Sequence, residues 1–337
     1  MNPIIKHYIS AFKLGAVQKH RNLAVLPLET SLDGGPDYLT LKEALERALF
    51  AVTEVSEGGS VPNLKVANKA DLPVLLLDGE ELAGAKQNRV LNTTILVKEK
   101  SEVVIPVSCT EQGRWSYASR EFSASGNIAA PKLREINKRA VAMSLETVGE
   151  FRSDQGAVWS HVENMACDAG TSSRTSAMKD MYDAKKEDLD AYLKAFACLP
   201  AQKGMLVLIG GEVVGFDFVS QARAFAALHA KLVKSYAMEA WIESRKKEKE
   251  ATEGEAVKRA ATPKAKAKAF LDEVLASEEK RYDSIGKGSD WRFTGKRLVG
   301  SALEVDGHVI HAAFFRVSES EQAGNMAGMG RRRGFRI

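Results

Sequence analysis

The chain has 337 residues, 45% of them hydrophobic and 27% charged, with a formal net charge of +4; this is the composition of an ordinary globular protein long enough to bury a sizeable core. No apolar run approaches the ~18–20 residues of a membrane span; the N-terminus has no continuous apolar leader, and the cysteines at 109, 167 and 198 are too few and too scattered for a disulfide framework. Membrane insertion, export and a cystine-stapled scaffold are therefore not expected, and a reducing cytoplasm is.

The positive charge is local. Residues 245–268 hold nine basic and four acidic side chains, and the last seven residues hold four basic ones. Without these segments 35 basic and 40 acidic side chains remain, a net charge of −5. The body is thus no obvious polyanion-binding surface. Arg331, Arg332, Arg333 and Arg336 make a small electrostatic arm. The linker lysines carry no interleaved aromatics, which argues against nucleic acid as a partner.

In chain order, residues 8–28 alternate and end in Leu23-Ala24-Val25-Leu26-Pro27-Leu28, an opening strand. Thr40 and Glu43 make a capping box, and Leu41, Ala44, Leu45, Ala48, Leu49 and Val52 follow at helical spacing, predicting a helix over 41–53. Beyond Gly58-Gly59 come a short strand at 64–68 and the run Val74–Leu77, which enters Asp78-Gly79, a favoured hairpin dipeptide. Residues 90–97 and 103–107 read as a strand pair buried on both faces, and residues 116–130, rich in Ser, Ala and Gly, as a loop. Helices are predicted over 131–145, opened by Pro131, and over 157–166 and 175–197. A hairpin turns at Gly210-Gly211, and Ser220 starts a long helix carrying Phe225, Leu228, Leu232, Tyr236 and Trp241. Residues 243–262 are a charged low-complexity segment, a solvated helix extension or disorder. Thr262-Pro263 starts a helix to about Leu275, and Asp306-Gly307 turns a last hairpin.

The expected fold is α+β, with antiparallel or mixed β-sheet hairpins and packed helices. A single domain over 1–320 is expected, admitting two similar halves at 1–170 and 171–320, then a flexible basic tail at 321–337. The likeness of LLLDGEELAGA to LVLIGGEVVGFD raises an internal duplication, although turn chemistry alone produces the same pattern.

Candidate chemistry concentrates between Pro73 and Trp115, where strand-like runs frame two polar blocks. In the first, Glu80 and Glu81 point to opposite faces of a strand, so only one can serve a given pocket; beside a turn, either alone is ordinarily solvated. Lys86, Gln87, Asn88 and Arg89 follow. Arg89 offers a planar fork for phosphate or carboxylate, Lys86 a point charge, and the two amides paired donors and acceptors for a base or ribose edge. An internal hydrogen-bond network accounts for the same four residues equally well. The second block contains Glu111, Gln112, Arg114 and Trp115 behind Cys109. Cys109 through Arg114 spans six residues, the length of a rhodanese loop, but Glu111 would place negative charge in an anion cradle, and no helix follows to stabilise a thiolate. Cys109 therefore reads as an inert core residue. The histidines show no zinc spacing, and the Gly-Gly and Gly-Lys-Gly stretches match no nucleotide-binding motif; no metal is expected and the cofactor is left unknown.

The run of residues 75–97 followed by IPVSCTEQGRW at 105–115 resembles the bacterial ADP-ribosylglycohydrolase- and rhodanese/phosphatase-superfamily-associated protein domain family. Weaker matches at 155–159, 205–218, 234–241 and around His311 extend the resemblance over most of residues 8–317, with the lysine-rich 243–268 as a variable insertion. The family is named for its genomic company, enzymes that remove ADP-ribose and rhodanese- or phosphatase-like proteins. The resemblance implies a role near NAD-derived or ADP-ribosyl metabolites, and it carries over no catalytic residue.

The first expectation is thus a cytoplasmic protein that binds, or processes, an ADP-ribose- or NAD-like small molecule. Arg89 and Arg114 would hold phosphates; Gln87, Asn88 and Gln112 would orient ribose or base; Lys86 and Trp115 would complete the site; Glu81 or Glu111 would act as base. The alternative is a non-catalytic scaffold, a homo-oligomer or a module that docks a partner enzyme.

Overall fold

The computed structural model of the chain describes residues 1–250 and 261–317, with the side chains of 248–250 left aside. Within them are eight helices and three mostly antiparallel sheets, an α+β architecture. Most of the charged segment's centre and the whole basic tail lie outside the described residues.

The largest sheet is antiparallel throughout. From Leu23–Glu29 its strands run in the order Leu23–Glu29, Gly204–Ile209, Glu212–Val219, His308–Arg316, Leu298–Val305, Ser289–Gly295 and, at the edge, Glu278–Asp283. Alternation along a strand sends neighbouring side chains to opposite faces, and both faces are buried along the first five of these strands, whereas Glu278–Asp283 at the edge is mostly exposed. Val25, Met205 and Val207 enter one core, with Phe225 and Tyr236 of the long helix Ala222–Glu250. Leu26, Leu206 and Phe216 enter another, under Ile5 and Phe270 of the helices Pro3–Ser10 and Pro263–Leu275. This explains why the inner strands from Leu23–Glu29 to Leu298–Val305 read as largely apolar runs. The hairpins at Gly210-Gly211 and Asp306-Gly307 form as expected.

A six-stranded sheet carries the residues singled out in sequence. Its order is Phe122–Ile128, Glu80–Gly84, Arg89–Leu91, Ser101–Cys109, Asn63–Asn68 and Phe50–Glu54, all antiparallel. A three-stranded sheet sets Val74–Leu76 between Ile95–Val97 and the short strand Leu39–Thr40, the latter parallel.

Several expectations are corrected. Asp78-Gly79 does not turn a hairpin: Val74–Leu76 and Glu80–Gly84 belong to different sheets, and the dipeptide is where the chain crosses between them. Gly79 has φ +83, donates its N–H to Leu91 O at 2.9 Å and accepts from Ala129 N at 2.8 Å. The likeness of its surroundings to the true hairpin at 204–219 is therefore one of composition. The Thr40–Glu43 capping box is present, but its helix ends at Glu46; the left-handed Ala48 (φ +53) breaks it, and Phe50–Glu54 becomes a strand in which residues 50, 52 and 54 are buried. Residues 122–128 of the expected loop form an edge strand, kept irregular by a bulge between Ala124 and Ile128. The predicted helix 175–197 is two helices, Met178–Ala184 and Lys186–Ala195. The helix Pro3–Ser10 was missed, although Asn2 caps it and Pro3 opens it. Ser220 lies before the long helix as expected, with its hydroxyl 3.0 Å from that of Tyr38.

Candidate functional site

Strand pairing brings the two polar blocks together. Leu82 lies opposite Arg89, and Arg89 opposite Cys109. Glu81 lies opposite Val90, one step along, so Glu81 and Arg89 project from opposite faces of the sheet.

Glu80 and Glu81 are not solvated. The crossing between sheets lies beneath the long helix, and both carboxylates are buried. Glu80 Oε1 meets Lys231 Nζ at 2.6 Å, and Oε2 accepts the Leu77 N–H at 2.9 Å. Glu81 accepts from Thr110 Oγ1 at 3.0 Å and from Asn127 Nδ2 at 3.4 Å. Burial pushes the Glu81 pKa up to about 7, against the hydrogen bonds that favour its charge.

Glu111 and Arg114 are committed to each other. Glu111 Oε1 accepts from Arg114 Nε at 2.9 Å and Thr175 Oγ1 at 2.8 Å; Oε2 accepts from Arg114 Nη2 at 2.6 Å and the Asn88 N–H at 3.0 Å. Burial opposes the charge, but these hydrogen bonds hold the Glu111 carboxyl below its ordinary range. Arg114 Nη1 donates to Ala85 O at 2.6 Å and Ser116 O at 2.9 Å, and Nη2 reaches Asn88 Oδ1 at 3.3 Å. All of the guanidinium's donors are thus engaged. The Gln112 side chain is exposed, and its carbonyl accepts from Gln87 Nε2 at 3.4 Å. These contacts clamp the 84–88 segment to the 110–116 segment.

Arg89 is different. Its side chain is 0% exposed, and Nη1 donates to Gln87 O and Gln87 Oε1, both at 3.1 Å. Its Nε and Nη2 have no hydrogen-bond partner. Glu54, at the end of its strand, stands 3.9 Å from Nη2 and has an unpartnered Oε2. Trp115 covers this corner, its ring 5.6 Å from the Arg89 guanidinium carbon and 5.4 Å from Lys86 Nζ, while staying 47% exposed. Tyr117 flanks Lys86 at 5.1 Å. Burial lowers the Arg89 pKa, against the pull of Cys109 and Glu54. Cys109 is buried, its thiol pushed up to about 11 by that burial, and the Gln155 amide pairs with its backbone at 2.7 and 2.9 Å. An inert thiol is the consequence.

Sequence reasoning missed Glu54, which lay next to a segment read as helix; the buried–exposed alternation Phe50, Val52, Glu54 was the available signal. It also missed a larger buried cluster. Arg134, on the helix Pro131–Val148, lies between two carboxylates. Its Nη1 and Nη2 meet Asp217 at 2.9 and 2.6 Å, and its Nε and Nη2 meet Asp78, both at 3.3 Å. Lys138 Nζ stands 3.0 Å from Asp78 and 2.6 Å from Ser301 Oγ. Thr94 Oγ1 donates to Asp78 and lies 2.8 Å from His311 Nδ1. Burial opposes charge on both carboxylates, yet Arg134 beside them holds Asp78 well below the usual range and Asp217 at about 2. Burial lowers Lys138 to about 8 and lowers His311, a packed strand residue. The cluster ties the sheet crossing at Asp78 to the large sheet, and Gly79 makes it possible: a Cβ there would lie 2.8 Å from Arg134 Cγ and Cδ.

Two shallow grooves, of about 190 and 180 Å³, are lined by Val162, Cys167 and Met181 and by Pro62, Asn92 and Gln155 among others; none of Glu81, Arg89, Glu111 or Arg114 lines either. Among the described residues, no three His, Cys, Asp or Glu side chains converge as a metal site, and no helix is long and apolar enough to cross a membrane.

The family model described as ARG and Rhodanese-Phosphatase-superfamily-associated Protein domain matches residues 11–315. No curated protein and no solved structure matches the chain.

Proposed function

The chain belongs to the ARG and Rhodanese-Phosphatase-superfamily-associated Protein domain family, and from that premise we propose that it binds an ADP-ribose- or NAD-related metabolite without transforming it. The metabolite class is suggested by the family's association; the place is suggested by the structure. One observation carries the reading: the Nε–Nη2 edge of Arg89 is buried without a hydrogen-bond partner beneath a half-exposed tryptophan. An arginine edge of this kind seeks an oxygen-bearing group, and the indole offers a stacking surface.

Binding without catalysis follows from where the two candidate bases lie. Glu111 has both oxygens engaged by Arg114, Thr175 and Asn88. Glu81 projects from the face opposite Arg89, out of hydrogen-bond reach of a group held there. Arg114, Asn88 and Gln112 then serve as the frame that holds the Trp115 loop. Titration calorimetry with ADP-ribose and NAD tests the reading. Saturable binding that Trp115→Ala weakens at least tenfold is expected, and absence of heat at millimolar ligand sinks it.

A second reading is favoured by the exposure of Trp115 and Tyr117, 47% and 51%, on a loop clamped by the Glu111–Arg114 pair. Rigid exposed aromatics suit a docking surface, and the partner would be an ADP-ribose-removing enzyme. Co-elution of the purified chain with a purified ADP-ribosylglycohydrolase from the same genome, lost in Trp115→Ala, supports it. Independent elution at micromolar concentrations of both counts against it.

A further inference from the structure

Two half-satisfied groups meet beneath Trp115. Arg89 uses Nη1 on Gln87, while Nε and Nη2 are without partners. Glu54 Oε1 accepts the Lys86 N–H at 3.3 Å and stands 3.9 Å from Arg89 Nη2; Oε2 is buried and unpartnered. The pair therefore presents two adjacent donors and one acceptor. An ionised phosphate or carboxylate would satisfy Arg89 but bring a second negative charge against Glu54. An ammonium group would satisfy Glu54 and be repelled by Arg89. A hydroxyl accepts from one and donates to the other. Two neighbouring hydroxyls match the parallel donors of the guanidinium edge, and one of them can return its hydrogen to Glu54 Oε2.

The cover suits the carbon side of the same ligand. Trp115 lies over Arg89 with much of its ring exposed, and a sugar presents an apolar C–H face beside its polar edge. Gly59, at φ +75, packs against the same corner. A Cβ there would lie 3.1 Å from Lys86 Cδ, 3.3 Å from Trp115 Cζ2 and 3.4 Å from Glu54 Oε2. Gly59 is therefore packed against the same three side chains, and a larger residue there would crowd Trp115 and Glu54.

We infer that Arg89 and Glu54 take the vicinal diol of a ribose or another sugar beneath Trp115. The assignment rests on the metabolite-binding reading and narrows it: the group held by Arg89 is the diol, and phosphates lie outside, toward Lys86. Because Arg89 is fully covered, entry requires Trp115 to swing outward.

Calorimetric titration of the full chain with D-ribose, adenosine, 2′,3′-dideoxyadenosine and ADP-ribose tests the assignment. Adenosine and ADP-ribose should bind, and the dideoxy compound at least tenfold more weakly. Glu54→Gln, close in shape, should weaken adenosine at least tenfold and remove the preference for the diol. Gly59→Ala, whose Cβ would crowd Trp115 and Glu54, should weaken adenosine too, and it serves if Glu54→Gln fails to fold. D-ribose binding as well as adenosine identifies a free sugar as the source; binding of adenosine and ADP-ribose alone identifies a nucleoside. If ADP-ribose binds but the dideoxy compound matches adenosine, or the variants stay within twofold of wild type, the diol assignment is overturned and the wider reading stands. No binding by any of the four at millimolar concentration overturns both.

Discussion

Replacing Asp217 with Asn would leave the Arg134 guanidinium held between Asp78 and a neutral amide. Asp217 accepts from Arg134 at 2.6 and 2.9 Å and from the Tyr236 hydroxyl at 2.9 Å, with His311 Nε2 3.6 Å away. Burial works against the charge, and Arg134 more than overcomes it, setting the pKa at about 2 against an ordinary 3.8. That drop corresponds to ~2.5 kcal/mol in favour of the carboxylate. Breaking one side of a buried pair costs ~3–5 kcal/mol; since Asp78 still faces Arg134, the lower end, ~3 kcal/mol, is expected. The folded pKa lies below the unfolded one, so this stability is present above about pH 4 and is lost as the pH falls through about 2. Urea unfolding followed by circular dichroism should show Asp217→Asn less stable by ~3 kcal/mol at pH 7, with the difference shrinking on acidification. A loss below ~1 kcal/mol, the range of an exposed ion pair, or one independent of pH, is incompatible with a charged Asp217 buried against Arg134.

Gly79→Ala combines a positive φ with a Cβ 2.8 Å from Arg134 and should cost ~2 kcal/mol or more; an unchanged thermal midpoint contradicts the close approach. Burial raises the Glu81 pKa from 4.5 to about 7, so the fold loses stability as pH rises from about 4.5 through about 7. Glu81→Gln removes that loss and should stabilise by up to ~3 kcal/mol at pH 8 but little at pH 4, measured by melting at both; equal effects at the two pH values count against a buried proton-holding carboxyl. Arg114→Ala should lower stability by ~2–3 kcal/mol by leaving Glu111 buried with fewer donors, and a variant that melts like wild type is not missing a frame residue. In the native protein, iodoacetamide at pH 8 should modify the exposed Cys167 rapidly and spare Cys109; rapid loss of Cys109, read by mass spectrometry, contradicts its burial.

The helices and hairpins whose signals are local were legible in sequence. Pro131, Thr262-Pro263, Gly210-Gly211 and Asp306-Gly307 each announce their element through backbone chemistry, and the structure places them accordingly. Illegible were features set by partners far along the chain. Asp78-Gly79 has the composition of a hairpin turn, but Arg134, 56 residues away, draws Asp78 inward and makes it a crossing between sheets. Phe50–Glu54 continues a helical pattern until the strand Asn63–Asn68 pairs with it. The cluster of Asp78, Arg134, Lys138, Asp217 and His311 draws on four parts of the chain, each of which reads alone as ordinary polar surface or core. At the candidate site, the gathering of residues 81–89 with 109–115 was visible in their spacing. Which of them face each other and which face outward was not, because that depends on strand register: one step along the strand separates Glu81 from the face that holds Arg89.

A ribosyl metabolite is proposed to bind against Arg89. A crystal structure of the protein grown with ADP-ribose tests it most directly. It should show Trp115 displaced and ligand oxygens within hydrogen-bond distance of Arg89 Nε and Nη2, with one of them shared with Glu54 Oε2. A structure in which Trp115 still covers an Arg89 that touches no ligand atom, with ADP-ribose absent or bound elsewhere, would contradict it.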